Sequence, residues 1–573
     1  MIEASLHADA LLPPEPALRA VVVVPARDEQ QRIAACLRAL AAQRGVPCEH
    51  YEVIVILDGC VDATAEVVGL SLREMPELRL HRVELPSPQG VGRARRLGMD
   101  LACERLLNLG RGDGLIASTD ADSVVAPNWI CTQLELLGEG AEAIGGRIEL
   151  DEEETRRLAP GAVAVRDGAV ASRMRRALGL SASPKHVEHH QFSGASLALT
   201  AAAYARCGGL PVRAALEDEA LERALVDQGV AIHRSARVRV RTSARISGRA
   251  PRGLARDLAS ADWRERRTYD AGEFTLERLL AAKRATVALL LPAREVSATI
   301  APVAETAARL QAAGLLDEAI VIDAASSDGT AAIAEQAGLR VEQESELLSE
   351  FGPGRGKGDA MWRGLAASNS EIVVFVDTDT EDFDERFLLG MLGPLLCDPE
   401  LQFVKGKFRR PFRSGAQVLA DGGGRVTELM ARPLLNLHAP ELAVFDQPLA
   451  GETAARRELL ERTPFAAGYG VEIAMLIDVW RSVGLDGMAQ VDLGARQNRH
   501  QPLRDLSSMA YAVLVAAQSR FLGRDFADRN AGGSIALPPA PGRTAMESRP
   551  VALEERPPLA SLDDAQFTAR RDG

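Results

Sequence analysis

Residues 115–122 read Leu-Ile-Ala-Ser-Thr-Asp-Ala-Asp, and residues 372–379 read Ile-Val-Val-Phe-Val-Asp-Thr-Asp. In each, a short apolar run ends in two aspartates one residue apart. Such runs predict strands buried on both faces, and period-two alternation puts the two carboxylates on one side if strand geometry continues through the triplet. Outward from these stretches the same signals recur in the same order. Residues 21–24 are all Val and lead into Pro25-Ala26-Arg27, an amphipathic stretch over 33–40 follows, and residues 53–57 end in Asp58. In the second copy residues 287–291 end in Pro292-Ala293-Arg294, and residues 320–322 end in Asp323. A repeat on this scale predicts two domains of one architecture. Buried strands alternating with helices make the fold class α/β, with two mostly parallel sheets in tandem and ligands expected beyond the strands' carboxyl ends, where these acids lie.

Bulk properties agree with this reading. A chain of 573 residues exceeds a single core and favours two domains. We expect a tail over 1–18, a first domain over 19–245, a linker or helical buttress over 246–284, a second domain over 285–525 and a disordered tail over 526–573. No run approaches the ~18 uncharged apolar residues of a membrane span, and the acidic, proline-containing start does not read as a signal peptide. Seven scattered cysteines, never spaced as CxxC, suggest neither a disulfide framework nor a zinc site. A reducing, cytoplasmic setting is the expectation. A net charge of −13 with 4% aromatics argues against a nucleic-acid partner.

Two adjacent carboxylates repel unless a cation joins them. Mg²⁺ or Mn²⁺ takes one or two carboxylates and completes its shell with phosphate and water, which makes the pair a diphosphate clamp. Asp120/Asp122 and Asp377/Asp379 are the candidates. A lone Asp-x-Asp is also a common solvated turn, and Asp58 and Asp323 read equally well as helix caps. Taken in its full order, the pattern resembles the GT-A (Rossmann-like) fold of family 2 glycosyltransferases. That resemblance implies nucleotide-sugar binding by Pro25, Ala26, Asp58 and Asp120 in the first half and by Pro292, Ala293, Asp323 and Asp377 in the second, with metal at Asp122 and Asp379.

The first half continues with Gly194-Ala195-Ser196, Gly208-Gly209-Leu210 and Glu217-Asp218-Glu219. This is similar to the family 2 pattern in which a glycine-rich segment shapes the acceptor side and an Asp is the general base, a role that falls on Asp218. The alternative is an acidic first turn of a helix, favourable without catalysis. Lys185, His186, His189 and His190 read as a solvated loop rather than a metal site, since no carboxylate stands at ligand spacing.

The second half resembles glucosyl-3-phosphoglycerate synthases. The segment Gly356-Lys357-Gly358-Asp359-Ala360-Met361-Trp362-Arg363 is similar to one whose lysine contacts the donor, so Lys357 is a donor ligand by resemblance. Gly422-Gly423-Gly424-Arg425-Val426-Thr427 matches the phosphoglycerate segment, which implies Gly424, Arg425 and Thr427 as acceptor ligands. Consecutive glycines can aim several N–H groups at one anion, although such a triplet also serves as a linker. Gly468-Tyr469-Gly470-Val471-Glu472 looks like the segment whose Tyr and Glu line the sugar and acceptor pocket, making Tyr469 an acceptor contact and Glu472 catalytic.

The resemblance further implies UDP-glucose as donor, 3-phosphoglycerate as small phosphorylated acceptor and retention of configuration, and it admits a homodimer. Three departures stand out. Asn498 occupies the place of the family's metal-binding histidine, with His500 two residues on; Val296 stands where the family has Glu, and Ala324 where it has Ser. They keep open the alternative that only one domain is catalytic and the other is a degenerate ligand-binding or scaffolding partner.

Overall fold

The computed structural model describes residues 11–168, 170–181, 184–213, 215–248, 253–414, 417–419, 423–496, 502–523, 531–539 and 544–562. The chain divides into two compact units, Met1–Asp262 and Trp263–Gly573. In the first, β1 (Ala20–Ala26), β2 (Tyr51–Asp58), β3 (Leu80–Leu85), β4 (Leu115–Ser118), β5 (Ser123–Val125), β6 (Ala143–Leu150), β7 (Leu197–Thr200) and β8 (Ile232–Thr242) form one sheet in the order β3-β2-β1-β4-β7-β6-β8-β5. The strands β3, β2, β1 and β4 are parallel, while β7 runs antiparallel between β4 and β6. Every residue of β1 and β2 is buried. That burial explains the unbroken apolar runs, because helices cover both faces. Alternate residues feed opposite cores: Val21 and Val23 pack with Leu97 and Leu101, Val22 and Val24 with Ile33 and Leu37.

The second unit contains β9 (Thr268–Asp270), β10 (Val287–Ala293), β11 (Glu318–Asp323), β12 (Arg340–Gln343), β13 (Ile372–Phe375), β14 (Phe403–Arg409), a pair formed by β15 (Phe412–Ser414) and β16 (Gln417–Leu419), and then β17 (Thr453–Arg456), β18 (Phe465–Ala466) and β19 (Met488–Ala495). Its main sheet has the order β12-β11-β10-β13-β17-β14-β19-β9. Seven strands therefore repeat position for position between the units. The eighth does not: β5 follows the first aspartate pair and is antiparallel to β8, whereas β9 precedes its sheet and is parallel to β19.

The helix that precedes the aspartate pair also repeats. Val91–Asn108 and Lys357–Ala367 are each entered through a glycine in the left-handed region, Gly90 (φ 92°) and Gly356 (φ 111°), a conformation that glycine adopts without a Cβ penalty. Each helix then presses a second glycine onto its sheet. A methyl group at Gly98 would overlap Val23, and one at Gly364 would lie 2.9 Å from Ile322 Cγ1.

Residues 246–284, read as a linker or helical buttress, carry helix at Leu254–Arg267 and Leu276–Ala282 and are divided between the two units. The division between units falls inside the helix Leu254–Arg267, Leu258 and Ala261 pack on Leu158 and Ala159 of the first unit, and β9 with Phe274 and Leu279 belongs to the sheet and core of the second.

The stretch read as a disordered tail, 526–573, is built into the second unit where it is described. Here β20 (Ser534–Leu537) pairs with β21 (Glu547–Pro550), and β22 (Glu555–Arg556) pairs with β18. Arg556 donates to both oxygens of fully buried Asp359 at 2.8 and 2.6 Å, and Trp362 Nε1 donates to Pro557 O at 2.9 Å. A few anchors order the segment, and composition does not register them. Among the described residues no helix is long and apolar enough to cross a membrane.

Candidate active site

In the second unit the carboxyl ends of β10, β11 and β13 border a cavity of about 760 Å³, within the range of small-molecule sites. At one end its wall carries Pro292, Ala293, Lys357, Asp377 and Asp379. At the other it carries Gly424, Arg425 and Thr427, while Tyr469 and Glu472 also line the cavity, Glu472 beside Lys357. Asp323 is 1% exposed and lies off the wall, which Ala324 and Ala325 form there. Its Oδ2 accepts from Ser326 N and Gln343 Nε2, both at 3.1 Å, while Oδ1 is buried with no partner. Asn498 and His500 lie outside the described residues.

The charged groups form a connected set. Lys357, the first residue of its helix, reaches Asp377 Oδ1 and donates to Glu472 Oε1 at 2.8 Å. Arg496, just past β19, donates to Asp377 Oδ2 at 3.1 Å and Asp379 Oδ1 at 3.3 Å, and also pairs with buried Glu452. Burial disfavours the charges on Lys357 and Asp377, but their partners override it. Asp377 and Glu472 hold the Lys357 ammonium above the usual lysine range, and Lys357 and Arg496 hold Asp377 below the usual carboxylate range.

The loop before β17 passes so close that a side chain at Gly451 would overlap both Asp377 and Lys357. Beneath it, buried Lys405 donates to Ala450 O at 2.9 Å; burial, only partly offset by Glu472, pushes Lys405 down to about 8. At the opposite end Gly424 takes φ 70°, and Gly423 N donates to Arg410 O at 2.9 Å. The arrangement suits a ligand with anionic groups at both ends, one beside the aspartate pair and one at the glycine turn.

The first unit gathers its candidates differently. Pro25 and Ala26 end β1 beside the end of β2. Asp58, at the end of β2, accepts from Gln89 N (2.6 Å) and Gly90 N (2.9 Å), so both oxygens brace the entry to the helix Val91–Asn108. Buried Arg95 binds Asp120 Oδ1 (2.8 Å), Glu217 Oε1 (3.2 Å) and Gly194 O (3.0 Å). Asp218 accepts from Gly194 N at 3.2 Å, which brings it into the same cluster. Burial and then Glu217 push Asp218 up to about 6.

Arg245, three residues past β8, pairs with Asp122 at 2.9 Å and with both oxygens of Glu29. Burial and Asp120, opposed by Arg245, raise Asp122 to about 6. The histidine cluster stays apart: Lys185 and His186 are exposed, and the His186 ring stacks on His233 at 4.4 Å.

The Glycosyl transferase family 2 model matches residues 21–195 and 289–418, which carry β1–β4 of the first unit and β10–β13 of the second. The chain belongs to family 2 of the glycosyltransferases. It is thus a nucleotide-sugar glycosyltransferase with two family 2 units. Glucosyl-3-phosphoglycerate synthase of Mycolicibacterium smegmatis is 42% identical over 301 residues, 52% of this chain and 98% of the relative. The synthase of Petrotoga mobilis is 40% identical over 257 residues, 44% of this chain and 78% of the relative.

Among solved structures, mannosyl-3-phosphoglycerate synthase of Rubrobacter xylanophilus is 42% identical, covering 53% of this chain and 99% of that one, with a TM-score of 0.48. Glucosyl-3-phosphoglycerate synthase of Mycobacterium tuberculosis with Mn²⁺, UDP-glucose and phosphoglyceric acid is 41% identical, covering 50% and 95%, with a TM-score of 0.45.

Sequence reasoning about this family 2 chain missed the arginines. Arg95, Arg245 and Arg496 each hold an acid of an aspartate pair, and Glu452 and Lys405 back the second site. One signal was available: Arg245 and Arg496 both follow the last long strand of their copy, so extending the repeat to its end would have found them. Arg95 carries no such signal, because its counterpart in function, Lys357, sits elsewhere along the equivalent helix.

Proposed function

We propose that the second unit transfers glucose from UDP-glucose to 3-phosphoglycerate with retention, and that the first unit carries out a second sugar transfer in which Asp218 is the base. The observation that carries the main reading is the single cavity joining Lys357 and the aspartate pair to the glycine turn with Thr427. The 42% identity across 98% of a glucosyl-3-phosphoglycerate synthase supports the choice of substrates.

Mg²⁺ or Mn²⁺ fits the donor set, since Asp377 and Asp379 offer hard carboxylate oxygens at the wall. Among the described residues no group of three or more His, Cys, Asp or Glu is set to hold a metal, and substrate phosphates would supply further oxygen ligands. Such an ion supplies charge neutralisation for the leaving diphosphate.

The chain's own residues do the rest. Lys357 presents a permanently charged ammonium where negative charge develops on the departing UDP. Glu472, tied to Lys357, fixes sugar hydroxyls and the reacting geometry. Gly424, Arg425 and Thr427 anchor the acceptor, whose hydroxyl proton passes to the departing phosphate oxygen on the same face. The cytoplasmic setting read from the cysteines belongs to this proposal, as does a homodimer.

The test is mass spectrometry of products from UDP-glucose, 3-phosphoglycerate and Mg²⁺. Glucosyl-3-phosphoglycerate should form, survive Asp122→Ala and vanish with Asp379→Ala. Folded wild-type protein that yields no such product would reject the substrates assigned to the second unit.

A further inference from the structure

Within the cavity and among the described residues, Lys357 and Arg496 are committed to carboxylates, but Arg410 is not. It lies on the wall just past β14, its Nε is buried with no hydrogen-bond partner, and its guanidinium stands 5.0 Å from the Phe408 ring. Arg496 approaches the same ring at 5.2 Å. Burial, and next Arg496, disfavour the charge on Arg410. A cation held this way gains from an incoming anion.

Its position says which anion. On one side is Arg496, which holds the aspartate pair where the donor's diphosphate belongs. On the other is the glycine turn: a methyl group at Gly424 would touch Arg410 Cδ at 3.7 Å, and one at Gly423 would fall 2.7 Å from Arg410 Cβ. Arg410 therefore stands between the donor end and the acceptor's anchor, next to where the reacting hydroxyl must lie. A planar guanidinium fork matches a carboxylate bidentately, whereas glycine N–H groups with a hydroxyl suit a tetrahedral phosphate.

We propose that Arg410 binds the carboxylate adjacent to the reacting hydroxyl of the acceptor, while Gly424, Arg425 and Thr427 take its phosphate. This rests on the reading of the second unit as a transferase acting on 3-phosphoglycerate, and it makes Arg410 the residue that separates that acceptor from glycerol 3-phosphate, which lacks the carboxylate.

The experiment compares the two acceptors with UDP-glucose and Mg²⁺ on wild type, Arg410→Gln and Arg410→Lys, alongside calorimetric titration of each acceptor. UDP titration and thermal unfolding verify that the variants are intact. For Arg410→Gln, kcat/KM with 3-phosphoglycerate should fall about 10- to 100-fold, as for a lost charge-assisted bond, while glycerol 3-phosphate changes by no more than about threefold. Arg410→Lys, which keeps the charge without the fork, should fall between.

Equal losses with both acceptors would assign Arg410 to the phosphate or to structure, and unchanged binding of 3-phosphoglycerate would remove it from the site; either overturns the inference alone. A wild type that neither binds nor glucosylates 3-phosphoglycerate overturns the parent reading and this inference with it.

Discussion

Asp218 and Asp377 are both buried aspartates, and their neighbours drive them in opposite directions. Asp377 has two cations within ion-pairing reach and stays ionised well below the usual range. Asp218 has Glu217 beside it and rises from 3.8 to about 6. Between those values the folded chain holds a proton that the unfolded chain has released, so stability falls as pH rises through this window, and the cost is fully present at pH 7. Asp218→Asn should therefore stabilise the first unit at pH 7 by about 1–3 kcal/mol and much less at pH 4, as read by urea unfolding at both values. A pH-independent difference would return Asp218 to the plain acidic first turn. In the second unit, Lys357→Met should cut kcat by roughly 10²–10³-fold, comparable to losing an oxyanion donor, with a smaller effect on the KM for UDP-glucose. A change in KM alone would reduce Lys357 to a binding contact. Lys357 and Asp377 were visible in the sequence because their segments carry local patterns. Arg95 was not, because a long side chain that reaches Asp120 and Glu217, 25 and 122 residues on, leaves no local trace; Arg245 and Arg496 show only when the repeat is followed past the last long strand of each copy.

At the scale of elements, the two sheet-facing glycines allow a direct comparison. Gly→Ala in a helix gains about 1 kcal/mol of propensity, while overpacking a tight contact costs about 1–3 kcal/mol. At Gly98 the new methyl overlaps Val23, so Gly98→Ala should destabilise; at Gly364 the neighbour is the side chain of Ile322 at 2.9 Å, and the two effects should nearly cancel. Denaturant midpoints of the two variants decide this, and a stabilised Gly98→Ala would contradict the packing. The C-terminal strands offer a second case. Arg556→Met removes one of two guanidinium partners of buried Asp359, leaving Arg363 at 3.0 Å and Arg355 N at 2.9 Å. A loss of about 2–4 kcal/mol is expected, since one partner remains, together with a higher KM for the acceptor because Pro550, Val551 and Ala552 line the cavity. Adding Asp359→Asn should recover part of the stability. Strands buried on both faces announced themselves as apolar runs, whereas β22 is two residues long and has no period to detect.

At the scale of the whole molecule, each unit has its own cores on both faces of its own sheet, so unfolding should not be a single two-state event. In calorimetry, UDP with 3-phosphoglycerate at about a hundredfold excess over Kd should stabilise the second unit by ~2.7 kcal/mol, and Asp379→Ala should abolish that shift. Movement of every transition by 3-phosphoglycerate would mean that the acceptor is not read by one site. The duplication, the parallel nucleotide half of each sheet, the aspartate pairs and the glycine-bordered lysine were all determined by sequence alone, because each rests on local spacing that burial on two faces or a tight turn demands. The edge strand that completes each sheet, the order of the C-terminal segment and the acids on which each arginine closes were decided only in three dimensions. Those features depend on which distant group comes within reach of a charge or an unpaired strand edge, and spacing along the chain does not record that.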